Sequence, residues 1–282
     1  MVLLALSSCR KNEDPFLPHT DDINVFQNDY GLLDLDLHSN EYLLADLSEH
    51  RILYENLCDL TIYPASLTKV MTMDAVLHRI SDLKERSAVT YGQISDLIAE
   101  DASIAYLQGD YGYTVEDLLY ALILPSGADA ALALQNCFEE KGMDLVEEMN
   151  LLAESLGCRS THFVNPTGLH DPDHYTTLHD LFLIITDVLR FEEGRRILES
   201  VEHTLEDGLK IESTLKPLCE METAILGGKT GYTPEAGQSI LVLFRSENRS
   251  YLLLLGNAMG SHVRKEYWHF EDTVHVFEAL FR

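Results

Sequence analysis

The chain has 282 residues, of which 46% are hydrophobic and 24% are charged, as in ordinary globular proteins. This length suits one large domain or two lobes of one catalytic unit. Forty-seven acidic residues against twenty basic ones give a formal net charge of −27, which disfavours binding to nucleic acid or to an anionic membrane surface.

The first residues resemble an export signal. Residues 1–8 are a short apolar run before Cys9, and Leu6-Ser7-Ser8-Cys9 resembles the lipobox of bacterial lipoproteins, whose cysteine becomes the lipidated first residue. The run is short and lacks a basic region, so an ordinary terminus or a start further upstream is the alternative. We expect residues 1–29 to be a signal-like segment and linker, with export from the cytoplasm and a lipid anchor at Cys9. No later segment has the apolar length of a membrane span, so that lipid would be the only membrane attachment.

A β-hairpin and a helix are predicted next. Residues 41–46 and 51–56 are short apolar or mixed runs separated by four residues that favour a turn. Pro64 and Ser66 favour the start of a helix, and apolar residues then recur at helical spacing. On this helix Ser66 and Lys69 would share a face. A lysine kept neutral by burial or by nearby positive charge can accept a serine's proton. Alone the pattern is weak, because such a pair is often a helix cap and a solvated charge.

The middle of the chain is predicted to be mainly helical. An irregular polar pattern over residues 88–112 predicts loops, and Thr114 with an acid three residues later resembles a capped helix start. Pro125-Ser126-Gly127 breaks that helix. Further helices are expected over residues 128–137, 144–156 and 178–189. We therefore place a helical lobe at about residues 85–190, inserted between segments of a sheet.

The last third returns to strands. Residues 224–228, 239–245 and 251–256 are predicted strands, and a closing helix should run from about residue 264 to 280. Because strands then lie at both ends of the helical block, residues 30–282 should form one α+β domain. Its two ends would share one antiparallel sheet flanked by helices.

Three short motifs occur in order along this domain. They are Ser66-Leu67-Thr68-Lys69, Ser126-Gly127-Ala128 and Lys229-Thr230-Gly231. The ordered set is typical of penicillin-binding proteins and class A β-lactamases. In the loop between helices, Ser126 could pass a proton to a leaving amine. Lys229 and Thr230 offer a charge and a hydroxyl to a substrate carboxylate, and Gly231 leaves room beside the strand.

The chain resembles the serine-type D-alanyl-D-alanine carboxypeptidases, the low-molecular-mass penicillin-binding proteins of the S11-like peptidases. The resemblance extends roughly from residue 42 to residue 281. It is carried by PASLTK (64–69), YTVEDLLYALILPSGADAALAL (113–134), the MN of 149–150, THFVNPTGLHD (161–171) and GGKTGYTPEAG (227–237). It implies a β-lactamase/transpeptidase-like fold and removal of the terminal D-Ala from peptidoglycan stem peptides. β-Lactam antibiotics are then the expected inhibitors.

The resemblance also implies roles for single residues. Ser66 would be acylated, Lys69 would accept its proton, and Ser126 would assist proton transfer. Lys229, Thr230 and Gly231 would hold the substrate. The backbone N–H groups of Ser66 and of a residue after Gly231, such as Tyr232, would form the oxyanion hole. Arg264 would lie near the substrate's terminal carboxylate; its alternative role is a basic residue in the first turn of a helix.

One position departs from the family pattern. The second motif usually ends in asparagine, and here it ends in Ala128, which has no side-chain hydrogen bond to give. The alternatives are therefore a non-catalytic or weakly active muropeptide-binding relative, or a β-lactamase or esterase on the same fold. Because the other motif residues are intact, we favour an active enzyme.

Metal and disulfide chemistry are not predicted. Four of the twelve histidines, His162, His170, His174 and His179, follow no ligand-helix spacing, and we expect them in loops or the core. The four cysteines after Cys9 include no CxxC pair and permit two disulfides without implying either. No cofactor is expected.

Overall fold

One six-stranded sheet joins the two ends of the chain. The computed structural model describes residues 27–31, 35–259 and 266–281, with residues 27–30 as backbone only. The strands are β1 (Gln27–Gly31), β2 (Glu41–Asp46), β3 (Arg51–Asn56), β4 (Arg86–Ser87), β5 (Tyr113–Thr114), β6 (Glu202–Thr204), β7 (Lys210–Glu212), β8 (Ile225–Thr233), β9 (Gly237–Ser246) and β10 (Arg249–Ala258). The sheet has the order β1-β3-β2-β10-β9-β8, so β8 is an edge strand.

The central strands are apolar on both faces. Leu43 of β2 lies opposite Leu254 of β10, and Leu44 lies opposite Leu253. Because successive side chains of a strand point to opposite faces, the first pair enters one hydrophobic cluster and the second pair enters another. This burial on both faces explains the almost continuous apolar runs of these strands.

Helices cover both faces of this sheet. They are α1 (Thr68–Arg79), α2 (Tyr91–Ala99), α3 (Val115–Ile123), α4 (Ala128–Glu140), α5 (Leu145–Leu156), α6 (Leu178–Val188), α7 (Glu192–Leu198), α8 (Lys216–Met221) and α9 (Trp268–Phe281). Val276 and Phe277 of α9 pack in the cluster on one face. On the other face, α1 packs against α3, α5 and α6 and is buried from Thr68 to Val76. The α+β class, with helices on an antiparallel sheet, is confirmed.

Three residues complete the hydrogen bonding or turn the backbone at helix ends, and the predicted cap at Thr114 is one of them. Thr114 caps α3 by accepting a hydrogen bond from the backbone N–H of Asp117 at 3.1 Å. Asp144 caps α5, which ends at Gly157 in the left-handed conformation with φ of 87°. Thr114 and Asp144 accept hydrogen bonds from N–H groups that have no partner within the helix. Gly157 takes the left-handed conformation that lets the chain leave the helix.

Other predictions were wrong in detail. Residues 88–112, expected to be loops, contain α2, which begins with a capping box formed by Thr90 and Gln93. Strand β8 continues to Thr233, because its pairing with β9 extends five residues past the expected end. Strand β1, which was not predicted, pairs parallel to β3 at the edge of the otherwise antiparallel sheet. The closing helix begins at Trp268 rather than near residue 264.

Two predicted functional residues, Cys9 and Arg264, lie outside the described residues. Within the described ranges, no helix has both the length and the apolar character needed to cross a membrane. The cysteines at 58, 137, 158 and 219 are free thiols.

Candidate active site

Ser66 and Lys69 lie at the junction between a 3-10 helix and α1. The 3-10 helix covers Ala65–Leu67 and continues directly into α1, and Ala65 takes the unusual φ of 47°. Leu67 is buried, which fixes the inner side of the turn, while Ser66 is half-buried. The Lys69 amine lies 3.0 Å from the hydroxyl oxygen of Ser66. The sequence spacing therefore becomes a direct hydrogen bond.

Burial favours the neutral form of Lys69. The side chain is 2% exposed, and burial lowers its pKa to about 7, against a smaller opposing effect of the Asp129 charge. An amine with this pKa is substantially unprotonated near neutral pH. It can then accept the proton of Ser66, as a general base must.

The second partner of Lys69 is the backbone carbonyl of Thr167, which accepts a hydrogen bond from the amine. The side chain of Asn165 fixes the loop that contains this carbonyl. Its oxygen accepts from the backbone N–H groups of Thr167 and Gly168 at 3.1 and 2.8 Å, and its amide donates to the carbonyl of Leu169 at 3.0 Å. Sequence reasoning missed Thr167. The Asn-Pro-Thr-Gly turn was visible, but a backbone ligand leaves no side-chain signature.

Glycine is required at position 168 of this loop. Its φ is 79°, and a Cβ atom there would overlap the carbonyl group of Ala65. The loop therefore rests directly on the backbone that carries Ser66.

A buried histidine fixes the other side of the turn. His174 is 2% exposed, and its Nδ1 accepts a hydrogen bond from the Val164 N–H at 3.1 Å. Its Nε2–H must then donate to the hydroxyl of Thr68, at 2.7 Å. Burial lowers the pKa of His174 to about 4, so the ring is neutral at physiological pH. His174 thus has a core role beside the nucleophile helix.

Ser126 occupies the break between α3 and α4. It has a φ of 64° and is 4% exposed, and its hydroxyl has no hydrogen-bond partner among the described residues. A buried hydroxyl without a partner is costly in a folded protein, so it marks a position where a substrate group or water is expected. Ala128 follows on α4, and its methyl group is buried.

Asp129 anchors the segment beside this break. Its carboxylate is fully buried and accepts hydrogen bonds from the backbone N–H groups of Ala105 and Leu107 at 2.8 and 3.0 Å. A Cβ atom at Gly127 would lie 2.7 Å from this carboxylate, which explains the glycine. Sequence reasoning also missed Asp129, since a lone acid in a helix's first turn is common.

Strand β8 carries the third motif. Lys229 is fully buried and donates to the carbonyl of Thr230 at 2.8 Å. Burial, and then the nearby charge of Lys69, hold the pKa of Lys229 well below its usual value. A Cβ atom at Gly231 would lie 3.0 Å from the Pro64 carbonyl oxygen, so this strand runs beside the turn of Ser66.

A chain of contacts joins β8 to the Ser126 break. The hydroxyls of Thr230 and Thr214 are 2.8 Å apart, and the N–H of Thr214 donates to the carbonyl of Leu124 at 3.0 Å. Leu124 lies two residues before Ser126. The three motifs therefore meet around one site, and half-buried Tyr232 follows Gly231 on the same strand.

Comparison with known proteins agrees with this geometry. A family model described as D-alanyl-D-alanine carboxypeptidase matches residues 28–255. The D-alanyl-D-alanine carboxypeptidase of Streptomyces sp. strain K15 is 30% identical over 200 residues, which cover 65% of this chain and 68% of that protein. The D-alanyl-D-alanine carboxypeptidase DacF of Bacillus subtilis is 26% identical over 197 residues, covering 69% of this chain. The chain spans only 51% of that relative's length.

Solved structures give the same fold. The Streptomyces K15 DD-transpeptidase superposes with a TM-score of 0.77 at 21% identity, covering 88% of this chain and 98% of the other. A D-alanyl-D-alanine carboxypeptidase from Mycobacterium tuberculosis gives 0.74 at 23% identity, covering 89% and 95%. The transpeptidase-like fold implied by the family resemblance is confirmed.

Proposed function

The chain belongs to the D-alanyl-D-alanine carboxypeptidase family, and on that premise we propose that it removes the terminal D-Ala from peptidoglycan stem peptides through an acyl-enzyme on Ser66. The observation that carries this proposal is the buried Lys69 amine, whose pKa is about 7 and which lies 3.0 Å from the Ser66 hydroxyl. A structural lysine on a helix surface would be solvated and fully charged.

Acylation begins when Lys69 takes the proton of Ser66. The Ser66 oxygen attacks the carbonyl carbon of the penultimate D-Ala, and the carbonyl oxygen becomes an oxyanion. We assign its stabilisation to the backbone N–H groups of Ser66 and Tyr232. The close approach of Gly231 to the Pro64 carbonyl supports this assignment, because it brings β8 beside the nucleophile's turn.

Ser126 is assigned to the departure of D-alanine. The leaving nitrogen must gain a proton as its bond to the carbonyl carbon breaks, and the Ser126 hydroxyl can deliver it from Lys69. Its lack of a partner among the described residues supports this role, since the hydroxyl is not committed to the fold. Water then attacks the ester on Ser66, and release of the shortened peptide regenerates the serine.

Strand β8 is assigned to holding the substrate. An edge strand can pair with an extended peptide, and Gly231 leaves room for that peptide's backbone. Lys229 and Thr230 directly precede Gly231, which approaches the turn of Ser66, and we assign them to binding the terminal carboxylate. Arg264 keeps its proposed place near that carboxylate, although it lies outside the described residues.

Ala128 does not argue for a protein that only binds muropeptides. The Lys69 amine already has two partners, the Ser66 hydroxyl and the Thr167 carbonyl, so its position does not depend on an asparagine at residue 128. A purely binding protein would have no use for a lysine with a depressed pKa beside a serine.

The location is proposed from the substrate. Peptidoglycan lies outside the cytoplasmic membrane, so the protein acts there, and a lipid on Cys9 would anchor it. Mass spectrometry of protein extracted from membranes should find the lipid on Cys9, and the Cys9→Ser variant should be released.

Labelled penicillin tests the chemistry. The native protein should form a covalent adduct on Ser66, located by mass spectrometry, and should release D-Ala from a peptide ending in D-Ala-D-Ala. Ser66→Ala should abolish both reactions. Lys69→Arg, whose guanidinium stays charged, should slow acylation about 10²- to 10⁴-fold, whereas Lys84→Arg at an exposed position should not.

The outcome distinguishes the alternatives. A penicillin adduct that hydrolyses rapidly would indicate a β-lactamase, and cleavage of simple esters without D-Ala release would indicate an esterase. Muropeptide binding without D-Ala release, unchanged in Ser66→Ala, would indicate a binding protein. Any of these three results would overturn the proposal.

A further inference from the structure

Asp74 is a buried carboxylate with unmet hydrogen-bonding capacity. It lies on α1, its side chain is fully buried, and neither carboxylate oxygen has a hydrogen-bond partner among the described residues. Burying an unpaired carboxylate is strongly unfavourable, so such groups are normally paired, protonated or bound to a metal ion.

Two further ligand groups lie beside Asp74. His78 is one turn later on the same face of α1, with its Nε2 3.8 Å from Asp74 Oδ1. Asp187, near the end of α6, places its Oδ2 2.6 Å from the same nitrogen. One ligand atom from each residue lies within 4.8 Å of the other two. Helices α1 and α6 thus bring two carboxylates and one imidazole together.

We propose that Asp74, His78 and Asp187 bind a divalent transition-metal ion, with Zn²⁺ the best chemical match. Carboxylate oxygen and imidazole nitrogen are both zinc ligands, with bonds of about 2.0 to 2.2 Å. Tetrahedral coordination at these lengths separates ligand atoms by about 3.4 Å. The observed separations of 2.6 and 3.8 Å lie on either side of that value.

The surroundings suit a dication. Arg190 donates to Asp187 Oδ1 at 2.7 Å, which orients this carboxylate and leaves Oδ2 facing His78. With a neutral imidazole, the two carboxylates and one guanidinium carry a net charge of −1. The His78 side chain is 36% exposed whereas the two aspartates are buried, so an ion can enter from the side of the histidine.

The site would join two helices rather than take part in catalysis. Asp74 and His78 lie on the same helix as Lys69 but beyond it, and Asp187 lies on α6. A metal ion bound only by the folded chain raises its melting temperature, by roughly 5 °C at a hundred-fold excess over Kd.

A second group of ligand residues in the structure is the natural comparison. Glu55, Cys58 and His179 could also surround an ion. There, however, the His179 nitrogens bond to Asp59 and Glu55 at 2.7 and 2.9 Å, and the Cys58 thiol donates to a backbone carbonyl. At the first site His78 is likewise bonded to Asp187, at 2.6 Å, but both oxygens of Asp74 lack a partner among the described residues, and this difference favours the first site.

Cobalt titration distinguishes the two sites. The full chain is freed of metal with a chelator and titrated with Co²⁺, followed by visible absorption and then by displacement with Zn²⁺. We expect one Co²⁺ per chain with no thiolate-to-cobalt charge-transfer band, and a higher melting temperature with Zn²⁺. Asp74→Asn should lose both effects, and Cys58→Ser should keep both.

The melting temperatures of the metal-free proteins show whether the variants fold. Metal-free Asp74→Asn should melt no lower than the metal-free native chain, because the buried carboxyl is gone. If Asp74→Asn does not fold, His78→Gln at the exposed edge provides the same test. Failure to bind Co²⁺, or binding that survives both Asp74→Asn and His78→Gln, would overturn the proposal. These readouts do not involve Ser66, so they are independent of the proposed activity.

Discussion

The amine of Lys69 donates a hydrogen bond to the backbone carbonyl of Thr167, 98 positions further along the chain. A carbonyl oxygen carries no full charge, so it orients the amine without favouring the ammonium form as strongly as a carboxylate would. The buried lysine is thereby held in place and still loses its proton readily. This contact supplies the positioning that Ala128 cannot supply.

Acylation should follow the titration of Lys69. The reactive form is the neutral amine, which is populated above a pKa of about 7, so the rate should rise with pH and level off above that value. The measurement is the rate of labelling by a fluorescent penicillin from about pH 5 to about pH 9. A rate that still rises steeply at the top of this range, as an amine with the ordinary lysine value of 10.5 would give, would contradict the assignment of Lys69 as base.

Gly168→Ala should damage both stability and acylation. The new methyl group would overlap the Ala65 carbonyl, so the loop that carries Thr167 must move away from the Ser66 turn. We expect a loss of about 2 to 3 kcal/mol in the free energy of unfolding and at least a ten-fold slower acylation.

Gly142→Ala is the matched control for this change. Gly142 has a similar φ of 72°, but nothing lies within 4 Å of an added Cβ. It should cost about 1 kcal/mol, from backbone strain alone, and leave acylation unchanged. Equal effects of the two substitutions on acylation would show that contact with Ala65 is unimportant.

The Thr214–Thr230 hydroxyl pair should contribute to substrate binding. Thr214→Val removes the group that orients the Thr230 hydroxyl at 2.8 Å. We expect KM for a D-Ala-D-Ala peptide to rise several-fold with little change in kcat. A double-mutant cycle with Thr230→Val should give a coupling of about 1 kcal/mol in kcat/KM. Strictly additive effects would indicate that the pair has no role in binding.

Ala128→Asn should not improve the enzyme. The methyl group of Ala128 is 1% exposed, so a larger polar side chain must displace packed neighbours, at about 1 to 3 kcal/mol of stability. Because Lys69 already has its two partners, acylation should stay the same or fall. Ala128→Ser, a smaller change, is the control. A large rate gain in Ala128→Asn would show that the native site is limited by its missing asparagine.

The sequence predicted the functional side chains of the site better than the backbone and tertiary contacts that hold them in position. Ser66, Lys69, Ser126 and Lys229 belong to short motifs in which residue type and spacing carry the chemistry. The Thr167 carbonyl could not be predicted in this way, because a backbone acceptor has no residue type. Nor could the grouping of Asp74 with Asp187, which depends on how two distant helices pack.

The parts of the fold that depend on neighbouring residues, such as helix caps, were predictable from the sequence. The cap predicted at Thr114 is confirmed, since its hydroxyl accepts a hydrogen bond from the N–H of Asp117 three residues later. Helix α2 was missed because a glycine and polar residues hide its period, although Thr90 and Gln93 are a capping pair. The parallel pairing of β1 with β3 is a tertiary property that no local pattern specifies.

The order of the central sheet also has a consequence for how the protein is made. Strand β2 needs β10 as its neighbour, and β8 reaches the sheet only through β9 and β10. Strand β8, which carries Lys229, cannot take its place in the sheet until β10 has paired with β2 and β9 with β10. Pairing between strands so distant in sequence is slow. During synthesis the chain therefore contains Ser66 early and completes the site late. If the proposed activity is correct, reactivity toward penicillin will report that folding is complete.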